Sequence, residues 1–266
     1  MPQIKKSKIT VNKGIKILIS FILLFLLYHI AEYMIMFKNN IPLFFTFQII
    51  FFITATILGK WYSGNGLSTW GLPFKRKILI NIIIGILLGI LLYSVPYCLA
   101  LIFEIEKISK IPPILTIIEN SYPFAIGVIF TSLSEDILTR GLIFAHFNRR
   151  LKPIFLAILS ASIYLLNHIY RIQEGSDVLI YIFLLGIIFI IPVMNSKNLW
   201  ITGAMHWAGN LFFFISHNVI QVKDNESIIS YNYLFSICIL FMIPLIWVVT
   251  KKFRTVATVY NNGYHK

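Results

Sequence analysis

Eight apolar runs, each near the length of one membrane crossing, follow one another at about residues 16–37, 41–59, 78–103, 122–147, 153–170, 178–195, 199–216 and 231–250. A lipid interior offers no hydrogen-bond partner to the backbone, so only helices and closed barrels cross it. The runs lack the period-two alternation of barrel strands. The fold class expected is therefore all-α, a polytopic membrane protein with about eight transmembrane helices. Hydrophobic residues make up 58% of the 266, and no polar segment is long enough for a soluble domain. A single integral-membrane domain over 1–266 is expected, with its chemistry-bearing core at about 122–216.

The basic residues sort by side. Alternate loops and both termini hold 17 of the 23 lysines and arginines, the opposite loops hold five, and Arg140 lies inside a run. Positive charge collects on the cytoplasmic side, so both termini are expected there. Short loops and a richness in Ile, Lys and Asn point to a bacterial plasma (inner) membrane. The net charge of +13 flanks spans rather than forming a patch with aromatic readers, so membrane lipid is an expected partner and nucleic acid is not. The first run is long and lacks a small-x-small cleavage site, which predicts a retained span rather than a signal peptide. Cys98 and Cys238 lie in apolar runs without metal-type spacing and read as packing residues. The loop from Gly64 to Pro73 has turn residues and an interfacial Trp70, but no glycine-rich opening of a helix after a strand and hence no phosphate loop. Gly85 and Gly89 form a small-xxx-small pair suited to close helix packing. Pro96, Pro192 and Pro244 are expected to kink their spans.

One run carries a contradiction. Ser134-Glu135-Asp136-Ile137-Leu138-Thr139-Arg140-Gly141 places three charges inside it. Each costs about 2.5 to 3.5 kcal/mol at a span centre, or roughly 8 to 10 kcal/mol together, against about 0.3 to 0.6 kcal/mol returned per strongly apolar neighbour. That helix must face protein or a wet cavity, and ionisable groups there mark a functional site. At about 100° per residue, Asp136 and Arg140 share a face and form the natural ion pair. Glu135 points away from Arg140. It is the carboxylate left without a built-in partner, which suits a general base. A purely structural charge cluster is the competing reading.

Two later runs carry polar pairs at the same spacing. Tyr164 and His168 share a face of the fifth, and His206 and Asn210 a face of the seventh. His206 and Asn210 can both donate hydrogen bonds, to bind an oxyanion, orient a water or bridge two helices. Gly203, Ala204, Ala208 and Gly209 would let another helix come close. Elsewhere His29 and Glu32, three apart, could pair. His146 beside Arg149 and Arg150 reads as interfacial, and His217 and His265 lie in polar segments. Neither a nucleophile elbow nor His-Glu-x-x-His occurs.

The ordered set Glu-Asp-x-x-x-Arg, Tyr-x-x-x-His and His-x-x-x-Asn on three spans resembles the CAAX-processing and bacteriocin-processing (CPBP, or Abi) family of intramembrane endopeptidases. The motifs of that family are Glu-Glu-x-x-x-Arg, Phe-x-x-x-His and His-x-x-x-Asn or Asp. Asp136 stands for the usual second Glu and Tyr164 for the usual Phe. The resemblance, from about Ser134 to Asn210, implies that Glu135 and His168 activate a water, that His206 and Asn210 stabilise the oxyanion, and that Asp136 and Arg140, with Tyr164, support them. It implies a peptide or membrane-anchored protein substrate, which could be lipid-modified, and a cavity open to the cytoplasm. It requires no cofactor or metal. A zinc-dependent variant through Glu135, His168 and His206 stays open. So do a non-catalytic role in bacteriocin self-immunity or as a scaffold, and a proton-coupled transporter, against which the lack of repeats counts. One geometric difficulty stands. Counted from the cytoplasmic helix ends at about 1.5 Å per residue, His206 lies about 10 Å deep, Glu135 about 18 Å and His168 about 22 Å.

Overall fold

The computed structural model describes residues 12–74, 78–225 and 229–252. Lys5, Lys6, Lys8, the basic residues at 75–77, Glu226, Arg254, His265 and Lys266, which entered the charge and histidine readings, lie outside them.

Each apolar run becomes a helix, and short polar residues start several of them. Asn12 caps α1 (Lys13–Met36) at the Gly14 amide, Asn40 caps α2 (Ile41–Ser63) at the Leu43 amide, and Gly64 ends α2 in the left-handed conformation. These groups satisfy end donors and acceptors that a helix leaves open. The chain continues through α3 (Ile78–Ile102), α4 (Ile114–Asp136), a π-helical turn at Ile137–Gly141 and α5 (Leu142–Phe147). Then come α6 (Pro153–Asn167), α7 (Ser176–Ser196), α8 (Leu199–Phe214) with a π turn at Ile215–Val219, and α9 (Tyr231–Lys252).

Among the described residues, six helical stretches are long and apolar enough to cross a membrane: 14–36, 41–63, 78–102, 114–147, 176–196 and 231–252. The expected count of eight is thus met by helical rods but not by eight full-length spans. Helix α6 has 15 residues and α8 has 16, or roughly 22 to 24 Å against a hydrocarbon core of about 30 Å. Both stop where polar residues intervene, α6 at Asn167-His168 and α8 at its π turn. The fourth stretch begins at Ile114, earlier than the expected 122.

Two apolar cores form. One joins Leu92, Phe189, Met205, Phe235 and Ile239 across α3, α7, α8 and α9. The other joins Leu24, Phe51, Trp70, Ile137 and Leu142 across α1, α2 and the π turn. Helices α3 and α8 touch closely because Gly85 and Gly89 lack side chains. A Cβ on Gly89 would lie 2.3 Å from the Met205 carbonyl oxygen. We expect Gly89→Ala to lower stability by about 1–3 kcal/mol, the range for overpacking, measurable as an earlier thermal loss of monodispersity in detergent.

Several local expectations change. Trp70 is fully buried, not interfacial, and its indole donates to the Ala55 carbonyl at 2.7 Å. His146 is buried against the rings of Tyr62 and Trp70 rather than lying at the interface. Cys98 is exposed, while Cys238 is buried. A short antiparallel ribbon, β1 (Glu106–Lys110) with β2 (Gln221–Asp224), joins two loops on one end of the bundle. Nothing in the run pattern announces it.

Candidate active site

The charged stretch straddles a change of helix type. Regular α4 ends at Asp136, and the next five residues form the π turn. Such turns are uncommon and recur at functional sites. Here neighbouring groups hold it. Ser160 of α6 donates to the Thr139 carbonyl at 2.8 Å, and the Thr139 hydroxyl donates to the Glu135 carbonyl at 2.8 Å. A Cβ on Gly141 would lie 2.4 Å from the Trp70 carbonyl oxygen, so glycine is what lets the turn seat against that loop.

Asp136 and Arg140 pair as the spacing implies, and both side chains are fully buried. Arg140 also donates to the Thr139 hydroxyl at 3.0 Å. Its guanidinium carbon lies 4.4 Å from the ring centre of Tyr164 and 5.0 Å from that of Phe189, a cation–aromatic arrangement that stabilises a desolvated arginine. The pair has a further contact that spacing does not reveal. Asp136 Oδ1 lies 3.3 Å from His206 Nδ1. A carboxylate held by Arg140 accepts there, so His206 donates from Nδ1 and turns Nε2 away.

That nitrogen faces Glu135, with Nε2 3.8 Å from Oε2. On its other oxygen, Glu135 has Asn167 Nδ2 at 3.5 Å and His168 Nδ1 at 3.7 Å. Glu135 is 4% exposed, yet it has no close cationic partner. His168 Nδ1 lies 2.9 Å from the Tyr164 carbonyl. A carbonyl only accepts, so Nδ1 donates and Nε2 carries the lone pair of the neutral ring. Glu135, His168, His206, Asn210 and Tyr164 all line one cavity of about 430 Å³. The side-chain amide of Asn210 and the hydroxyl of Tyr164 bond to no described residue.

The three patterns therefore meet, despite the depths counted along the helices. The count fails because the helices do not start at one level. Leu199, the first residue of α8, is fully buried, and its amide donates to the Gly71 carbonyl at 2.7 Å. The start of α8 is drawn into the bundle beneath the 64–73 loop, which lifts His206 to the level of Glu135. Trp207 fixes that height by donating to the Ala125 carbonyl of α4 at 2.9 Å.

The cavity also uses groups that the motifs do not contain. Tyr28 and Glu32 of α1 and Tyr93 of α3 line it, and Met36, Tyr170 and Arg171 lie at its rim. Glu32 does pair with His29, at 3.2 Å, as their spacing suggests, but its place in the cavity depends on how α1 packs. The rim is at the end of α1 remote from the N-terminus. Among the described residues, no group of three or more His, Cys, Asp or Glu side chains is in position to hold a metal ion.

The stretch that supplies α4 to α8 is also the one with relatives. Residues 118–212 match the family model described as type II CAAX prenyl endopeptidase Rce1-like. The matched stretch contains Glu135, Asp136, Arg140, Tyr164, His168, His206 and Asn210, and is consistent with the resemblance read from the motifs. Tyr28, Glu32 and Tyr93 lie outside it. Comparison with curated proteins and with solved structures gave no match.

Proposed function

We propose that the chain is an intramembrane endopeptidase that hydrolyses a peptide bond of a peptide or membrane-anchored protein. The observation that carries this reading is the convergence of a buried, unneutralised Glu135 with His168 and His206 on the floor of one cavity. The gaps of 3.7 and 3.8 Å are too long for direct hydrogen bonds but suit a bridging water.

In this reading Glu135, aided by His168, takes a proton from that water as its oxygen attacks the substrate carbonyl carbon. The carbonyl π electrons move onto oxygen. His206, held at Nδ1 by Asp136, donates to the oxyanion from Nε2, and Asn210 donates from its side-chain amide. Glu135 then returns the proton to the amide nitrogen as the C–N bond breaks. Asp136, Arg140 and Tyr164 position the machinery. Hydrolysis in ¹⁸O-enriched water should place one labelled oxygen in the new C-terminal carboxyl group. Unlabelled products, or none, would count against it.

The matched family is described as acting on CAAX prenyl substrates, so a lipid-modified substrate is within this proposal. In this reading both termini are cytoplasmic, which the charge asymmetry favours, and the membrane is a bacterial plasma membrane, which the short loops and the richness in Ile, Lys and Asn favour. The cavity rim then lies on the non-cytoplasmic side, because Met36 closes the first crossing. That orientation opens the cavity away from the cytoplasm, the reverse of the cytoplasmic opening that the resemblance implies. With Cys98 and Cys238 replaced by serine, Met36→Cys should react with a membrane-impermeant maleimide on intact cells. Trp61→Cys, at the other end of the bundle, should react only after permeabilisation. The reverse pattern would invert the chain.

A further inference from the structure

The part of the cavity lined by α1 and by the segment after α6 is acidic and aromatic. Glu32 lines it, with Oε2 3.2 Å from His29 Nδ1 and Oε1 3.5 Å from the Tyr170 hydroxyl. Both contacts are to groups without a fixed charge. Glu32 and Glu135 are the carboxylates of the lining, and no lysine is among its described residues. Arg171 at the rim is already engaged. It donates to Glu174 at 2.8 and 2.6 Å and to the Tyr181 hydroxyl at 2.7 Å, and it holds the Glu174 carboxyl below its usual range. Among the described residues Glu32 is thus left without a partner of fixed positive charge.

A second observation points to a ligand. Tyr28, Tyr93 and Tyr164 line the same cavity and are 3%, 4% and 4% exposed. Their hydroxyls hydrogen-bond to no described residue and open onto the cavity, where a bound group can meet them. Aromatic faces around a carboxylate attract organic cations, because the ring quadrupole adds to the charge. A desolvated carboxylate gains most from a partner that brings a compensating charge with it.

We propose that Glu32, with the rings of Tyr28 and Tyr170, forms a subsite for a cationic group of the substrate, a lysine or arginine side chain or a terminal ammonium. The subsite rests on the endopeptidase reading for its purpose, and it would select peptides with a basic residue near the scissile bond. Its Tyr28 and Glu32 lie on α1, outside the matched stretch, and Tyr170 lies within it.

Binding tests it without turnover. The full chain is placed in nanodiscs of zwitterionic lipid. Labelled nonapeptides carry one lysine or one norleucine, scanned through every position of an otherwise neutral sequence. Fluorescence anisotropy compares wild type, Glu32→Gln, Glu32→Asp and Glu135→Gln. At the best position, lysine should bind at least about tenfold tighter than norleucine, the scale of a desolvated cation–aromatic contact. Glu32→Gln should bring the ratio near one without weakening norleucine binding, and Glu32→Asp should keep part of it. If Glu32→Gln does not fold, Tyr170→Leu should reduce the ratio severalfold. No lysine preference at any position, including no measurable binding, overturns the subsite, as does an unchanged ratio in Glu32→Gln. A lysine preference that persists in Glu135→Gln, with no cleavage by the wild type, would overturn the endopeptidase reading and leave the subsite standing.

Discussion

Glu135→Gln is expected to lower peptide hydrolysis by about 10²- to 10⁴-fold, the range for removal of a positioned general base, with little loss of stability. The amide has the same size and can still accept from Asn167. No tight ion pair is broken, since the nearest histidine nitrogens stand 3.7 and 3.8 Å away. Rates on one cleavable peptide, with thermal melts of the same samples, check this. Equal losses of rate and stability would make Glu135 structural, and an unchanged rate would remove it from the chemistry.

The largest stability effect is expected at Arg140. Both members of its pair with Asp136 are fully buried. Arg140→Met would strand a carboxylate in a dry interior, which costs about 3–5 kcal/mol. Adding Asp136→Asn should recover most of that loss, because replacing both buried charges with neutral groups is often close to neutral. Activity should not return with stability. Asp136 also holds His206 Nδ1 at 3.3 Å, and without it the ring loses its orientation. Melting curves and rates for the two single variants and the double variant separate these roles. Recovery of both would reduce the pair to packing.

These expectations draw on what the sequence made legible and on what it did not. Spacing alone pairs Asp136 with Arg140 and leaves Glu135 free, because i,i+4 contacts are set within one helix. The Gly85 and Gly89 contact was legible for a related reason, since two small residues a turn apart allow close approach whatever the partner. Features that depend on where one helix sits against another stayed hidden. The buried start of α8 decides whether His206 meets Glu135, and it follows from a contact between Leu199 and Gly71. The π turn rests on Ser160 and Trp70, both distant in sequence. Trp70 and His146 read as surface residues by their polar neighbours, yet they pack together inside. Glu32 read as half of a local pair, because nothing in α1 reveals that it faces α4 and α6. Polarity near a span end cannot separate a lipid headgroup from an internal cavity.

The most direct test compares peptide termini in membranes of cells making the wild type, Glu135→Gln or no such protein, with expression and membrane insertion matched. The endopeptidase account expects new termini with the wild type alone, and their sequences would name the substrate. Identical termini in all three samples, at good expression, would contradict it.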